Sequence, residues 1–199
     1  LVDSMFIWDT IGEVYLRSLD IEPRENLAEA FKTFTLEQAA EYYREHYGVT
    51  LSVNEIVDGV NEMVAKLYKT KVTLKDGVRE FLEALKSQGV KMCVATVTDR
   101  PIVEDVLNRL GIRDFFFEIF TCAEVGYNKE TPHIYRAALE VLGTKKDETV
   151  VFEDALHALI TAKKDGFRVA AVYDRHERNQ TQMKENGDYY ITDFKTAQI

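Results

Sequence analysis

The chain has 199 residues, 46% of them apolar and 30% charged, with a formal net charge of −9. That apolar mass supports a real core in one or two folded units. The acidic balance argues against a nucleic-acid partner, which needs clustered Lys and Arg, and any phosphate site must make its positive charge locally, from a lysine or a metal ion.

From about Ser4 to Val72 the sequence predicts helices only. In IWDTIGEVYLRSL, Ile7, Ile11, Val14, Tyr15 and Leu19 recur near helical spacing. Trp8 reads as an apolar anchor of that helix. TLEQAAEYYREHYG opens on Thr35 with Gln38 three residues on, a capping box, and closes on Gly48. SVNEIVDGVNEMVAKLYK offers a second box in Ser52 and Glu55.

From Thr73 the texture alternates. A helix (GVREFLEALKSQG) precedes a β-rich run (VKMCVATV), then come a helix (RPIVEDVLNRLG), a short run (FEIFTCAEV) and a helix (TPHIYRAALEVLG). A strand (TVVFED), a helix (ALHALITAKKDG), a strand (RVAAVYD) and a last strand (YYITD) follow. KMCVATV and TVVFED are continuously apolar, as strands buried on both faces of a parallel sheet are. The expected fold class is α/β, a doubly wound parallel sheet. Gly89, Gly111, Gly143 and Gly166 follow the last periodic positions of their helices, as helix stops do. The charged stretch DRHERNQTQMKENGD reads as a solvated connection before the last strand.

Cys93 and Cys122 lie in apolar runs and read as small buried thiols, too few for a disulfide framework. There is no signal-peptide pattern and no apolar run near the ~18 residues a membrane span needs. The expected location is cytoplasmic, with no membrane partner.

Ligands of open α/β sheets bind at the carboxyl ends of the strands. VKMCVA runs into Thr96-Val97-Thr98-Asp99-Arg100, and Pro101 opens a helix. Thr98 or Asp99 can cap that helix; Thr96 and the N–H groups beyond it could hold an anion, or form an ordinary strand end. TVVF runs into Glu153-Asp154. A hard divalent cation would use both carboxylates, whereas capping of the next helix would use one. Lys129, in VGYNKETPHIY, could neutralise a phosphoryl group or be a solvated lysine. His46, His133, His157 and His176 show no metal-ligand spacing.

In their order, VATVT, the Lys129 loop and VVFED resemble motifs two to four of the haloacid dehalogenase-like hydrolase superfamily. KDGVREFLEALKSQGVKMCVAT is similar to that family's return from a helical cap to the core. The resemblance covers essentially the whole chain. It implies a Rossmann-like core of residues 1–3 and 73–199 with an all-helical cap, 4–72, inserted in it. Leu1-Val2-Asp3-Ser4 matches the segment after the family's first motif, Asp-x-Asp-Gly-Thr, which supplies a nucleophile and a general acid/base. The strand bearing that motif lies at the centre of the family's sheet and is expected ahead of Leu1.

The resemblance further implies a Mg²⁺-dependent phosphatase acting through an aspartyl-phosphate on a small phosphorylated metabolite, a sugar phosphate or similar. Asp154 would bind the metal directly, and Glu153 directly or through water. Lys129 would pair with the nucleophile and the phosphoryl oxygens, and Thr96 with the Val97 N–H would hold the phosphate. Lys32, followed by Thr33, Phe34 and Thr35, is a candidate for a second anionic group of the substrate, or part of a loop packing on its own helix. A monomer is expected, since the cap covers the site. The sequence departs from the family in Glu130 where Pro is usual, and in Ala155 and Ala158 where Ser and Gly are frequent. Sugar-phosphate mutases of the family carry a His where Trp8 stands, which favours a phosphatase over a mutase. A non-catalytic binding protein of the same fold is the reading for a chain that truly starts at Leu1.

Overall fold

The computed structural model describes residues 1–24, 27, 31 and 34–197. Its contacts divide the chain into two units, Ser4–Val72 and Leu1–Asp3 with Thr73–Ile199.

The first unit is helical: α1 (Met5–Ser18), α2 (Leu36–Tyr47) and α3 (Val53–Thr70), with no strand among its described residues. Both capping boxes form. Thr35 N–H donates to Gln38 Oε1 at 2.8 Å, and Ser52 N–H to Glu55 Oε2 at 2.8 Å. Each box satisfies helix-end N–H groups that would otherwise lack partners. Ile7, Ile11, Tyr15 and Leu16 of α1 are buried, as are Ala40 and Tyr43 of α2 and Ile56, Val60, Val64 and Tyr68 of α3. The Tyr43 hydroxyl donates to the Gly12 carbonyl at 2.9 Å, so this apolar core also fixes one polar bond. Trp8 is not an anchor: it is 49% exposed. One residue past Ile7, it is turned about 100° off the buried stripe.

All strands of the described residues lie in the second unit. β1 (Val2–Asp3) pairs antiparallel with β2 (Thr73–Leu74). β3 (Cys93–Thr96) pairs parallel with β4 (Glu118–Thr121). β5 (Val150–Glu153), β6 (Arg168–Val172) and β7 (Tyr189–Ile191) form a parallel set in that order. Helices intervene: α4 (Val78–Ser87), α5 (Arg100–Arg109), α6 (Cys122–Val125), α7 (His133–Leu142), α8 (Leu156–Lys164) and α9 (Gln180–Asn186).

Alternate strand residues enter two separate cores. Val94, Ile119, Val150, Phe152, Ala170, Val172, Tyr189 and Ile191 join Val78 and Leu82 of α4 and Val103 and Leu107 of α5. Ala95, Phe120, Val151, Val169, Ala171 and Tyr190 join Ile134 and Tyr135 of α7, Leu159 of α8 and Met183 of α9. Successive strand side chains point to opposite faces, so the strands form one layer with helices on both sides. The doubly wound α/β class is the observed one.

Several local readings are corrected. In KMCVATV only Cys93–Thr96 is strand, and FEIFTCAEV divides into β4 and the short α6, whose Thr121 side chain accepts from Glu124 N–H at 3.2 Å. Val150, Val151 and Phe152 of β5 are half-buried, not enclosed on both faces. Among the described residues β3 pairs only with β4, and β5 only with β6, which leaves one edge of each strand without a ladder. DRHERNQTQMKENGD is no solvated connection. It contains α9, with Met183 fully buried, and Asp174, which is 2% exposed. A charged stretch can bury a side chain when every charge inside has a partner. Cys93 and Cys122 are half-buried free thiols, and burial raises the pKa of both. No helix of the described residues is long and apolar enough to cross a membrane.

Candidate active site

Glu153 ends β5, and Asp154 follows where the chain turns into α8. Glu153 is 6% exposed, so its charge must be met from within the protein. It is met twice, on the same oxygen. Lys129 Nζ reaches Oε1 at 2.7 Å, and the Tyr135 hydroxyl donates to it at 2.8 Å. Lys129 comes from the loop between α6 and α7, where Glu130 N–H donates to Asn128 Oδ1 at 3.1 Å and Thr131 N–H to the Asn128 carbonyl at 3.3 Å. Its side chain is only 14% exposed, so the solvated reading of Lys129 is corrected. Tyr135 lies in the first turn of α7. Burial, then the charge of Glu153, raises its pKa far above the ordinary range, so it stays a hydroxyl donor.

Asp154 is more open, with its side chain 29% exposed. Its Oδ2 lies 3.9 Å from Lys75 Nζ. That ammonium also pairs with Asp174 and points at the Tyr173 carbonyl at 3.5 Å. Neither Glu153 nor Asp154 caps α8. The Leu156 N–H instead donates to Glu177 Oε2 at 3.0 Å, from the loop after β6. Helix capping therefore accounts for neither acid.

Thr96 ends β3, on the other strand set, and Val97 follows it. Thr96 Oγ1 accepts from Thr98 N–H at 3.0 Å, and Val97 is exposed. Asp99 stands at the N-cap of α5 but its side chain makes no capping bond. Among the described residues no hydrogen bond or ion pair links Thr96 or Val97 to Lys129, Glu153 or Asp154. The link is α7, which packs on β3 and β4 and sends Tyr135 to the end of β5. Lys32 and Thr33 lie outside the described residues. Phe34 stacks on Phe31 at 5.5 Å and meets Tyr42 edge-on at 5.8 Å, which is the loop packing on its own helix.

The sequence reading missed four of these residues: Tyr135, Lys75, Asp174 and Glu177. Tyr135 carried a usable signal, since a tyrosine inside an apolar helix stripe must find a partner for its hydroxyl. The Lys75–Asp174 pair carried none, because its members are 99 residues apart.

No group of three or more metal-ligating side chains stands together among the described residues. Two carboxylates nonetheless fit Mg²⁺, which binds through one or two of them and keeps water and phosphate oxygens for the rest. Asp154 is the open donor, and the bonds to Glu153 fall on Oε1 alone.

The chain is similar to known proteins. Over 130 residues the chain is 31% identical to a phosphorylated carbohydrates phosphatase of Thermotoga maritima, covering 62% of this chain and 60% of that protein. Over 165 residues it is 26% identical to hexitol phosphatase B of Escherichia coli, covering 82% of this chain and 74% of that one. The crystal structure of a candidate beta-phosphoglucomutase from Thermotoga maritima matches with a TM-score of 0.84 at 22% identity, over 98% of this chain and 90% of that one, a likeness of fold. The chain spans only 52% to 60% of the length of three of its bacterial relatives. The family model described as haloacid dehalogenase-like hydrolase matches residues 1–172, most of the chain. The chain belongs to the haloacid dehalogenase-like hydrolase family.

Proposed function

We propose that the protein is a Mg²⁺-dependent phosphatase of a small phosphorylated metabolite, a sugar phosphate or similar, working in the cytoplasm through an aspartyl-phosphate. The observation that carries this reading is the buried Lys129–Glu153 pair at the carboxyl end of β5, with the open carboxylate of Asp154 beside it. The names of the Thermotoga and Escherichia relatives, a carbohydrate phosphate phosphatase and a hexitol phosphatase, support the substrate class. The nucleophilic Asp would stand on a strand ahead of Leu1. The bare edges of β3 and β5 support that placement. The helical unit 4–72 would act as the cap that closes over the site and selects the substrate, with Lys32 offered to a second anionic group.

In this reading Asp154 would hold the cation directly, with Glu153 beside it. When bound, Mg²⁺ would neutralise charge between the carboxylates and the phosphoryl oxygens. Lys129 would add a fixed positive charge against the phosphoryl group, and Thr96 with the Val97 N–H would hold its other oxygens. Tyr135 would hold the Glu153 carboxylate in place through its hydroxyl. Phosphoryl transfer depends chiefly on such positioning and charge neutralisation.

The test uses protein that carries its native residues ahead of Leu1. Phosphate release from a panel of sugar and hexitol phosphates should require Mg²⁺ and stop with a chelator. No release from any member would remove the phosphatase reading. A requirement for a bisphosphate activator with isomer interconversion would move it to a phosphomutase, against the indication of Trp8.

A further inference from the structure

Lys75 stands just past β2, and nothing in its sequence surroundings marks it. In the fold it is a hub. Its backbone N–H donates to the Leu1 carbonyl at 2.9 Å. Its ammonium pairs with Asp174, faces the Tyr173 carbonyl at 3.5 Å, and lies 3.9 Å from Asp154 Oδ2. Asp174 is itself pinned. Its Oδ1 accepts His176 N–H at 2.9 Å, and its carbonyl accepts Gln180 Nε2 at 2.6 Å. The ammonium is thus fixed by a buried carboxylate on one side and faces an open carboxylate on the other. A buried lysine–aspartate pair adds little net stability by itself, because desolvation offsets the attraction. Its place beside Asp154 supplies another use.

Building on the proposed role of Asp154 as a cation ligand, we infer that Lys75, held by Asp174, is a positioning residue that orients the Asp154 carboxylate for the divalent cation. The ammonium faces Oδ2 at 3.9 Å, and the rest of the carboxylate would remain for the cation. Groups that orient a metal ligand from behind typically cost roughly 10–100-fold in metal affinity when removed. A lysine that contributes charge alone would do the reverse: it repels the cation, so its removal would tighten binding. The two roles differ in sign.

The probe is Mn²⁺, titrated into protein carrying its native residues ahead of Leu1, with the free ion followed by electron paramagnetic resonance and Mg²⁺ added as competitor. Lys75→Met and Asp174→Asn should each raise the Kd for Mn²⁺ by roughly tenfold or more, and Lys75→Arg should recover most of the loss. Circular dichroism checks that each variant is folded. Unchanged or tighter binding by folded Lys75→Met overturns the inference. Should that variant not fold, Lys75→Gln decides, since it removes the ammonium while keeping much of the side-chain length, and bare charge would again predict tighter binding. Wild-type protein that binds no Mn²⁺ would remove the cation site and the role of Lys75 together. Wild-type binding with unaffected variants would remove the role of Lys75 alone.

Discussion

Glu153 and Asp154 are neighbours in sequence, yet the fold gives them opposite environments. Glu153 is enclosed and bonded by Lys129 and Tyr135, whereas Asp154 is open and faces Lys75 across 3.9 Å. Losing one preorganised electrostatic group typically costs about 100-fold or more in turnover. Asp154→Asn and Lys129→Ala should each lower kcat by at least ~100-fold. Asp154→Asn is the cleaner probe, since it leaves the buried pair intact. Activity within about a factor of three of wild type in that variant would contradict the assignment. Away from the site, Asp165 tests the charge logic by pH. Its carboxyl is held below the usual range by its hydrogen bond to Arg136, with Lys146 adding to the effect. A carboxyl with a lowered folded-state pKa stabilises the protein above its unfolded pKa, near 3.9, and loses that contribution as pH falls through the folded value. Urea midpoints of wild type and Asp165→Asn should therefore differ at pH 7 and converge as the pH drops below about 4. A gap that persists at low pH would assign the effect to packing.

At the scale of elements, helix starts were the most legible feature. Thr35 with Gln38 and Ser52 with Glu55 form both capping boxes, because such motifs close within one turn of chain. The start of α4 is different. Gly77 has φ +77°, and a Cβ there would overlap the backbone of Lys195 and come within 2.8 Å of the Phe194 carbonyl carbon. Phe194 in turn packs against Phe81 of α4, with ring centroids 5.2 Å apart. The left-handed conformation alone costs an alanine about 1–2 kcal/mol, and displacement of the Lys195 backbone adds to it. Gly77→Ala should destabilise by about 2 kcal/mol or more in urea denaturation. A loss under about 0.5 kcal/mol would mean that the Phe194–Lys195 segment gives way freely. The same element scale explains the misreading of DRHERNQTQMKENGD. Its short helix buries Met183 alone among its seven residues, too little apolar periodicity to stand out in sequence.

At the scale of the whole molecule, the parallel strands of the described residues form two hydrogen-bonded sets, β4–β3 and β5–β6–β7, joined by shared cores rather than by a ladder. Backbone groups along an unpaired strand edge need partners. The proposed strand ahead of Leu1 would supply them to β3 and β5. A protein that carries it should unfold at higher urea and with a larger m-value than one beginning at Leu1, since more surface is exposed on unfolding. Equal midpoints and slopes would count against that placement. The class of fold, the two textures, the acids and threonine at strand ends and the lysine of the loop before α7 are legible in the residue order, because helix periodicity, apolar strand runs and capping motifs act over a few residues. What those groups touch is set by the packed fold. It joined Lys129 to Glu153, brought Tyr135 to the same oxygen, set Lys75 between Asp154 and Asp174, and gave the cap of α8 to Glu177 rather than to either acid. These partners meet across 18 to 99 residues of chain, and no local pattern encodes a contact that exists only once the strands are side by side.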